Sequence, residues 1–266
     1  MILGLGSIAA ASLVFGMMMA VASNLPQLEN KRQYGPEANS YLYDDHDRLI
    51  GIFSAPDPEV IDSFAGLGQT MREAIVSVED KNFWTDPGID VRSTLRALVA
   101  DLTGHARQGA STIAQQFIKN ALAEENNRTI FEKLREATLA FHLVHQWPRT
   151  KILTEYLNSI YFGSGAYGVE SAARVYFGRQ LGYDAADPAH GRCGNDPRRP
   201  QQNTCASKLN PAQAALLAGM VANPSGFNPI ANPHAAWERR DLVLLDLRNQ
   251  HDITPAEYER YYRSPL

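Results

Sequence analysis

The 266-residue sequence lacks the marks of several large classes of protein. It has 25 Lys and Arg against 29 Asp and Glu, a formal net charge of −4, so it has no basic excess to suggest nucleic-acid binding. Neither a Gly-x-Ser-x-Gly nor a Ser-x-x-Lys motif occurs, so serine-hydrolase chemistry has no support. Strand patterns are sparse after residue 53. A mainly α protein with a sizeable core remains.

The first charged residue is Glu29. The apolar run from Met1 to Ala22 is long enough to cross about 30 Å of hydrocarbon as a helix. A cleaved signal peptide is the alternative, since residues 20–22 read as an A-x-A cleavage site. Neither interpretation finds Lys or Arg before the run, so Met1 need not be the natural start. We expect an uncleaved transmembrane anchor at 1–23, and an exported remainder in either case.

The two cysteines agree with export. Cys193 and Cys205 enclose a loop without apolar residues, and a disulfide there would contribute roughly 3 kcal/mol in the chain-entropy model. Disulfides belong to oxidising compartments. Zinc is the rival, but the nearest His190 lacks a second partner at ligand spacing. The sequence therefore predicts a disulfide and no metal site.

Hydrophobic periodicity predicts a short strand pair followed by helices. The strand pair lies within Ser40–Phe53, and an apolar helix from Gln69 to Val78 leads into Glu79. Further helices are predicted over about 91–99, from Ser111, from Thr129, from Thr150 to Leu157, over Val169–Tyr176, after the Asn210-Pro211 cap, and finally over Ala235–Asn249. In the helix from Ser111, the side chains of Ser111, Gln115 and Lys119 are expected on one face.

Three polar segments stand out among these elements. Glu79 and Asp80 are followed by Phe83, Gly88 and Asp90. A run of hydroxyls and amides with one lysine then occupies Gly109–Asn120, and a third segment contributes Arg128, Lys133 and Glu136. In their order and residue pattern these segments resemble the motifs of the glycosyltransferase domain of class A penicillin-binding proteins (glycosyltransferase family 51, the peptidoglycan polymerases). The resemblance covers about residues 40–247.

The resemblance implies a role for each segment. Glu79 is the expected general base, which removes the proton of the acceptor sugar's 4-hydroxyl; burial or the neighbouring Asp80 should raise its pKa. Glu136 is the expected second carboxylate, which orients the donor or a bound cation. Arg128 and Lys133 would neutralise the diphosphate leaving group. The residues predicted to bind substrate are Asp80, Phe83, Gly109, Ser111, Thr112, Gln116, Lys119, Arg128 and Lys133.

The sequence departs from the family pattern at two positions. Asp86 stands where the family usually has His, and Glu132 replaces an Arg beside Lys133. Lys133 and Glu136 are also spaced as a routine surface ion pair would be. Gly109 would let the preceding loop move over the substrate. The matches around residues 156–173 and 211–229 are expected to be mainly structural.

The resemblance implies a mainly α, lysozyme-like, two-lobed domain at 56–250, after a tether and strand pair at 24–55. Residues 251–266 would begin a linker to a missing C-terminal region, since no transpeptidase motif follows. The implied function is polymerisation of lipid II into glycan strands at the extracytoplasmic side of the cell membrane, with cell-wall synthesis proteins as further partners. A divalent cation, Mg²⁺ or Mn²⁺, is left open. The alternatives are a lytic glycan-cleaving enzyme and an inactive lipid II-binding scaffold.

Overall fold

The computed structural model describes residues 40–43, 49–53, 61, 63–89, 111–121, 130–183, 192–193 and 203–265. Within these ranges it contains eight α-helices and one pair of short strands, which confirms the mainly α class. None of the helices in the described ranges is long and apolar enough to cross a membrane. The predicted anchor at 1–23 and the predicted helix at 91–99 lie outside the described residues. The lysozyme-like arrangement stays a prediction.

The elements follow the sequence expectation closely. The strands β1 and β2 pair antiparallel, with Ser40 opposite Phe53. Their bounds, and those of the helices, are β1 Ser40–Tyr43, β2 Leu49–Phe53, α1 Gln69–Glu79, α2 Ile113–Ala121, α3 Ile130–Gln146, α4 Arg149–Ser159, α5 Val169–Leu181, α6 Pro211–Met220, α7 Pro233–Asn249 and α8 Pro255–Tyr262.

The described residues divide into two compact units, one between 82 and 152 and the other comprising 40–81 and 153–265. In the first unit α2 packs against α3. Phe117 of α2 lies with its ring centroid 6.2 Å from that of Trp147, just beyond α3. The apolar stripe of α3 is buried at Ala140 and Leu143, as its helical period requires.

The second unit is built around α6, which packs against α1 and α7. Every residue from Ala212 to Met220 is buried. A capping box starts the helix: Asn210 Oδ1 accepts from Gln213 N, and Gln213 Oε1 accepts from Asn210 N, each at 3.0 Å. Pro at the first position completes this start. The prediction of a capped, buried helix is confirmed.

Asn158 fixes the chain that precedes α1. Its side-chain oxygen accepts from Ile61 N and its side-chain nitrogen donates to Ile61 O, both at 3.0 Å. Gly168 lies against the same residue with φ +80°, and a Cβ at this position would stand 2.8 Å from Asn158 O. Position 168 therefore requires glycine for both conformation and space.

The predicted disulfide is present. Cys193 and Cys205 are bonded, with a Cα–Cα distance of 4.8 Å. The Glu170 carboxylate of α5 accepts the backbone N–H groups of Cys205 and Ala206, at 3.0 and 2.8 Å. It also accepts from Arg174 Nε at 2.9 Å, so its buried charge is paired and hydrogen-bonded.

The helix predicted over Ala235–Asn249 is confirmed as α7, which ends at Asn249. The prediction that it is the last helix was wrong, because α8 follows within residues 251–266. Thr254 and Glu257 form a capping box at its start. The buried guanidinium of Arg240 in α7 donates to Ser264 O at 2.8 Å and to Tyr262 O at 3.1 Å. These bonds satisfy carbonyls at the end of α8 and hold that end to α7.

Candidate active site

The C-terminal end of α1 carries the two carboxylates of the first motif. The helix ends at Glu79 because Asp80 adopts an extended conformation (φ −159°, ψ 82°), although Asp80 N still donates to Val76 O at 3.1 Å. Tyr156 of α4 lies in the same unit and is fully buried. Burial, and then the negative charges of Glu79 and Asp80, raise the pKa of Tyr156 well above its ordinary value. A buried phenol thus lies within electrostatic reach of both carboxylates.

The turn after the first motif is held by an ion pair. Asp86 Oδ1 accepts from Gly88 N at 2.8 Å and from Arg149 Nη1 at 3.1 Å, and Arg149 Nη2 donates to the backbone oxygen of Asp86. The Asp86 side chain is only 7% exposed. Its Oδ2 is buried and has no hydrogen-bond partner within the described part of the chain. Arg149 also lies over the Phe83 ring, 5.5 Å from the centroid.

Gly88 connects this turn to the second motif. Its φ is +85°, and a Cβ would stand 2.8 Å from both Ala140 O and a Val144 methyl group. The Thr112 hydroxyl donates to Gly88 O at 2.8 Å. Gln115 N donates to the Thr112 hydroxyl and Thr112 N donates to Gln115 Oε1, at 3.2 and 2.9 Å. This reciprocal pair is a capping box that starts α2.

Two of the residues predicted to bind substrate have buried side chains. Phe83 has no exposed surface, and Thr112 is 3% exposed with its hydroxyl engaged by Gly88 and Gln115. Both residues are held within the unit by these contacts, and their contact with substrate stays a prediction. The expected common face of Ser111, Gln115 and Lys119 is found only in part. Gln115, which is buried, and Lys119, which is exposed, lie one turn apart on α2, whereas Ser111 precedes the helix.

The remaining described residues of the second and third motifs lie on α2 and α3. Lys119 and Lys133 are exposed, whereas Gln116 and Glu136 are half-buried. The alternative that Lys133 and Glu136 form a surface ion pair stays open beside the predicted role in binding substrate. Gly109 and Arg128 lie outside the described residues.

Sequence reasoning missed Arg149 as the residue that holds the turn at Asp86. Its partner Asp86 is 63 residues earlier in the chain, so no local spacing connects the two. One signal was available, because Asp86 departs from the family's usual His and a new carboxylate in a turn needs a donor. Tyr156 was assigned to packing, which its burial confirms, but its proximity to Glu79 was not foreseen.

The described ranges contain no set of side chains placed as metal ligands. No group of three or more His, Cys, Asp and Glu side chains is placed there to hold an ion.

Comparison with known proteins identifies the family. The model of the family described as "Transglycosylase" matches residues 48–248. Penicillin-binding protein 1A of Aquifex aeolicus is 34% identical over 250 residues, covering 94% of this chain and 31% of that protein. Penicillin-binding protein 2D of Bacillus subtilis is 34% identical over 201 residues, covering 75% and 25%. The chain thus spans about a third or less of the length of these relatives.

A crystal structure of penicillin-binding protein 1A from Haemophilus influenzae also aligns with the chain. The alignment covers 87% of this chain and 21% of that one, at 18% identity and a TM-score of 0.45. This similarity is below the level from which a shared fold can be argued.

Proposed function

Because the chain belongs to the transglycosylase family, we propose that it is a peptidoglycan glycosyltransferase that polymerises lipid II into glycan strands. The observation that carries the proposal is the pair Glu79 and Asp80, which ends α1 beside the buried Tyr156 in the register of the family's first motif. The C-terminal end of a helix disfavours negative charge, which favours a carboxylate that accepts a proton at this position.

The proposed reaction is a single displacement. Glu79 removes the proton from the acceptor's 4-hydroxyl as that oxygen attacks the anomeric carbon of the donor's muramyl unit. The bond from this carbon to the diphosphate breaks, so the configuration inverts from α to β and undecaprenyl diphosphate leaves with the bonding electrons. The proton remains on Glu79 until it passes to solvent or to the leaving group.

Cations of the second and third motifs are proposed to receive the leaving diphosphate. Lys119 and Lys133 are exposed, so their ammonium groups are available to a ligand. Arg128 belongs to the same proposal through its motif position. Hydrogen bonds between ammonium or guanidinium groups and phosphate are charge-assisted and short, and they stabilise charge that develops in the transition state. Glu136 is proposed to orient the donor, and no step depends on a divalent cation.

The proposed location follows from the substrate. Lipid II keeps its polyprenyl tail in the bilayer, so an anchor at 1–23 would raise the effective concentration of enzyme and substrate at the membrane surface. The catalytic domain is then extracytoplasmic, in agreement with the disulfide between Cys193 and Cys205. Other cell-wall synthesis proteins are the proposed partners.

The experiment is incubation of the protein with labelled lipid II in detergent, followed by gel separation of the products. Glycan chains longer than the disaccharide substrate are expected. Purified sacculi form the second arm, because a lytic enzyme would release muropeptides from them. Lipid II binding without turnover in the first arm would favour the inactive scaffold and contradict the proposal.

A further inference from the structure

The corner between α7 and α8 contacts the helix that carries Glu79. We define the α7–α8 corner as residues Asp246–Asp252. Its Gln250 Nε2 donates to Ser77 O at 3.2 Å and to Asp246 O at 3.3 Å. Lys81, four residues after Ser77, forms an ion pair with Asp246 at 3.0 Å. The corner therefore meets α1 on one side at its last turn and just beyond its end, within a single compact unit.

The hydrogen bond from Gln250 gives Ser77 O a donor that α1 itself lacks. The last four carbonyls of a helix have no intrahelical donor, and α1 ends at Glu79, so Ser77 O is one of these four. Ser77 is 1% exposed, so water is a poor substitute. Gln250 thus caps the end of α1 from a residue 173 positions away.

The corner itself is fixed. His251 has φ +66°; its N–H donates to Arg248 O at 3.1 Å, and Asp252 N donates to Leu247 O at 2.9 Å. These two hydrogen bonds and the positive φ of His251 form a Schellman motif, which ends the right-handed helix α7. The donor of Gln250 is consequently held by a rigid element rather than by an exposed loop.

We propose that Gln250 is a positioning residue for Glu79, acting through the carbonyl of Ser77 to fix the last turn of α1. This inference rests on the proposed role of Glu79 as general base. Proton transfer demands a heavy-atom approach of about 2.6–3.2 Å. A frayed last turn would move the carboxylate out of that range while leaving the diphosphate-binding cations on α2 and α3 unchanged.

The test uses two substitutions of similar size that differ in the donor. Gln250→Lys keeps an N–H donor for Ser77 O, and a cation suits a helix C-terminus. Gln250→Glu has no donor at neutral pH. Asn249→Lys and Asn249→Glu, at the exposed neighbouring position, make the same charge changes without the bond. For each, kcat and KM for lipid II are measured, together with hydrogen exchange of the Asp80 amide.

We expect Gln250→Glu to lower kcat by about tenfold, within the range that small misplacements of reacting groups produce, with KM unchanged. Gln250→Lys should stay within about twofold of wild type, as should both Asn249 variants. The Asp80 amide, which donates to Val76 O, should exchange faster in Gln250→Glu than in Gln250→Lys.

Equal kcat values for Gln250→Glu and Gln250→Lys, whether high or low, would overturn the inference, because a packing role does not distinguish a donor from an acceptor. If Gln250→Glu does not fold, Gln250→Leu removes the donor without adding charge and replaces it in the comparison. An inactive wild type would count against the proposed function instead. The exchange of the Asp80 amide would then still decide whether Gln250 holds the end of α1.

Discussion

Arg149 and Asp86 are joined by two hydrogen-bonding groups of one guanidinium, one to the carboxylate and one to the backbone oxygen. Asp86 occupies the position where the family usually has His. At this position the chain therefore has a carboxylate instead of an imidazole ring. Arg149, the first residue of α4, supplies the positive charge that pairs with it. The two residues are a matched pair, so changing either one alone should be costly.

The first prediction concerns this pair. Arg149→Met should lower the free energy of unfolding by about 3 kcal/mol, the low end of the cost of leaving one member of a buried ion pair alone. Asp86→His should also destabilise, because it places an imidazole beside a guanidinium. Thermal unfolding followed by circular dichroism measures both. Arg179→Met, at an exposed position of α5, is the control; an equal loss there would contradict the role of the pair.

The second prediction tests the base. Glu79→Gln keeps the shape of the side chain and removes the proton acceptor, so polymerisation of lipid II should fall by at least about 100-fold. The matched control is Glu238→Gln, the same change at a side chain that is 69% exposed, which should leave the rate unchanged. Near-normal polymer yield from Glu79→Gln would sink the assignment.

The third prediction tests the diphosphate site. Lys133→Ala should weaken turnover and also the binding of a phosphoglycolipid inhibitor of the moenomycin type, since a charge-assisted contact is worth roughly 1.5–3 kcal/mol. Isothermal titration measures the affinity. Lys208→Ala, another exposed lysine, serves as the control. Equal affinities for wild type and Lys133→Ala would mean that Lys133 does not face the diphosphate.

The fourth prediction concerns the disulfide, whose cysteines are 12 residues apart in sequence. Cys193→Ser should lower the free energy of unfolding by roughly 3 kcal/mol in the chain-entropy model while polymerisation persists. The reductant dithiothreitol should lower the melting temperature of wild type toward that of the variant and leave the variant unchanged. Thiols that react in the folded, non-reduced protein would refute the bond.

The fifth prediction follows from Glu73, whose pKa is raised from its ordinary 4.5, first by burial, with Asp252 adding to the effect and a hydrogen bond from Gln69 opposing it. A raised pKa means that the folded state favours the protonated form, so this stabilisation is complete below pH 4.5 and is lost as pH rises through the raised value. Glu73→Gln should therefore raise the melting temperature at pH 7. The gain should vanish near pH 4; a gain that is constant with pH would contradict the cause.

Local pattern was sufficient to predict most of the helices. The hydrophobic period of α3 and the Asn210-Pro211 cap of α6 depend only on residues that are close in sequence. The predicted bounds of these helices therefore agree with the observed ones to within a few residues. The helix α8 was missed because it buries no residue, which leaves no apolar stripe to detect. Its capping pair, Thr254 and Glu257, was the available signal.

Site residues could be predicted from the sequence only where they occupy a position of a family motif. The end of α1 at Glu79 agreed with the sequence. The burial of Phe83 and Thr112 was not predicted, because a motif does not state whether a side chain faces solvent or the core. The Asp86–Arg149 and Ser77–Gln250 contacts join residues 63 and 173 positions apart. Contacts of this range depend on the tertiary fold and leave no periodic trace in the chain.

The contact between Gly168 and Asn158 has a consequence for reading mutational tolerance. Any side chain at 168 would press on the backbone of Asn158, and the Asn158 amide in turn holds both polar groups of Ile61. A library of single substitutions scored by growth should therefore show position 168 as intolerant as Glu79. That equality would arise from space and backbone geometry, so depletion of variants around residues 158–168 reports architecture and should not be taken as a map of reacting groups.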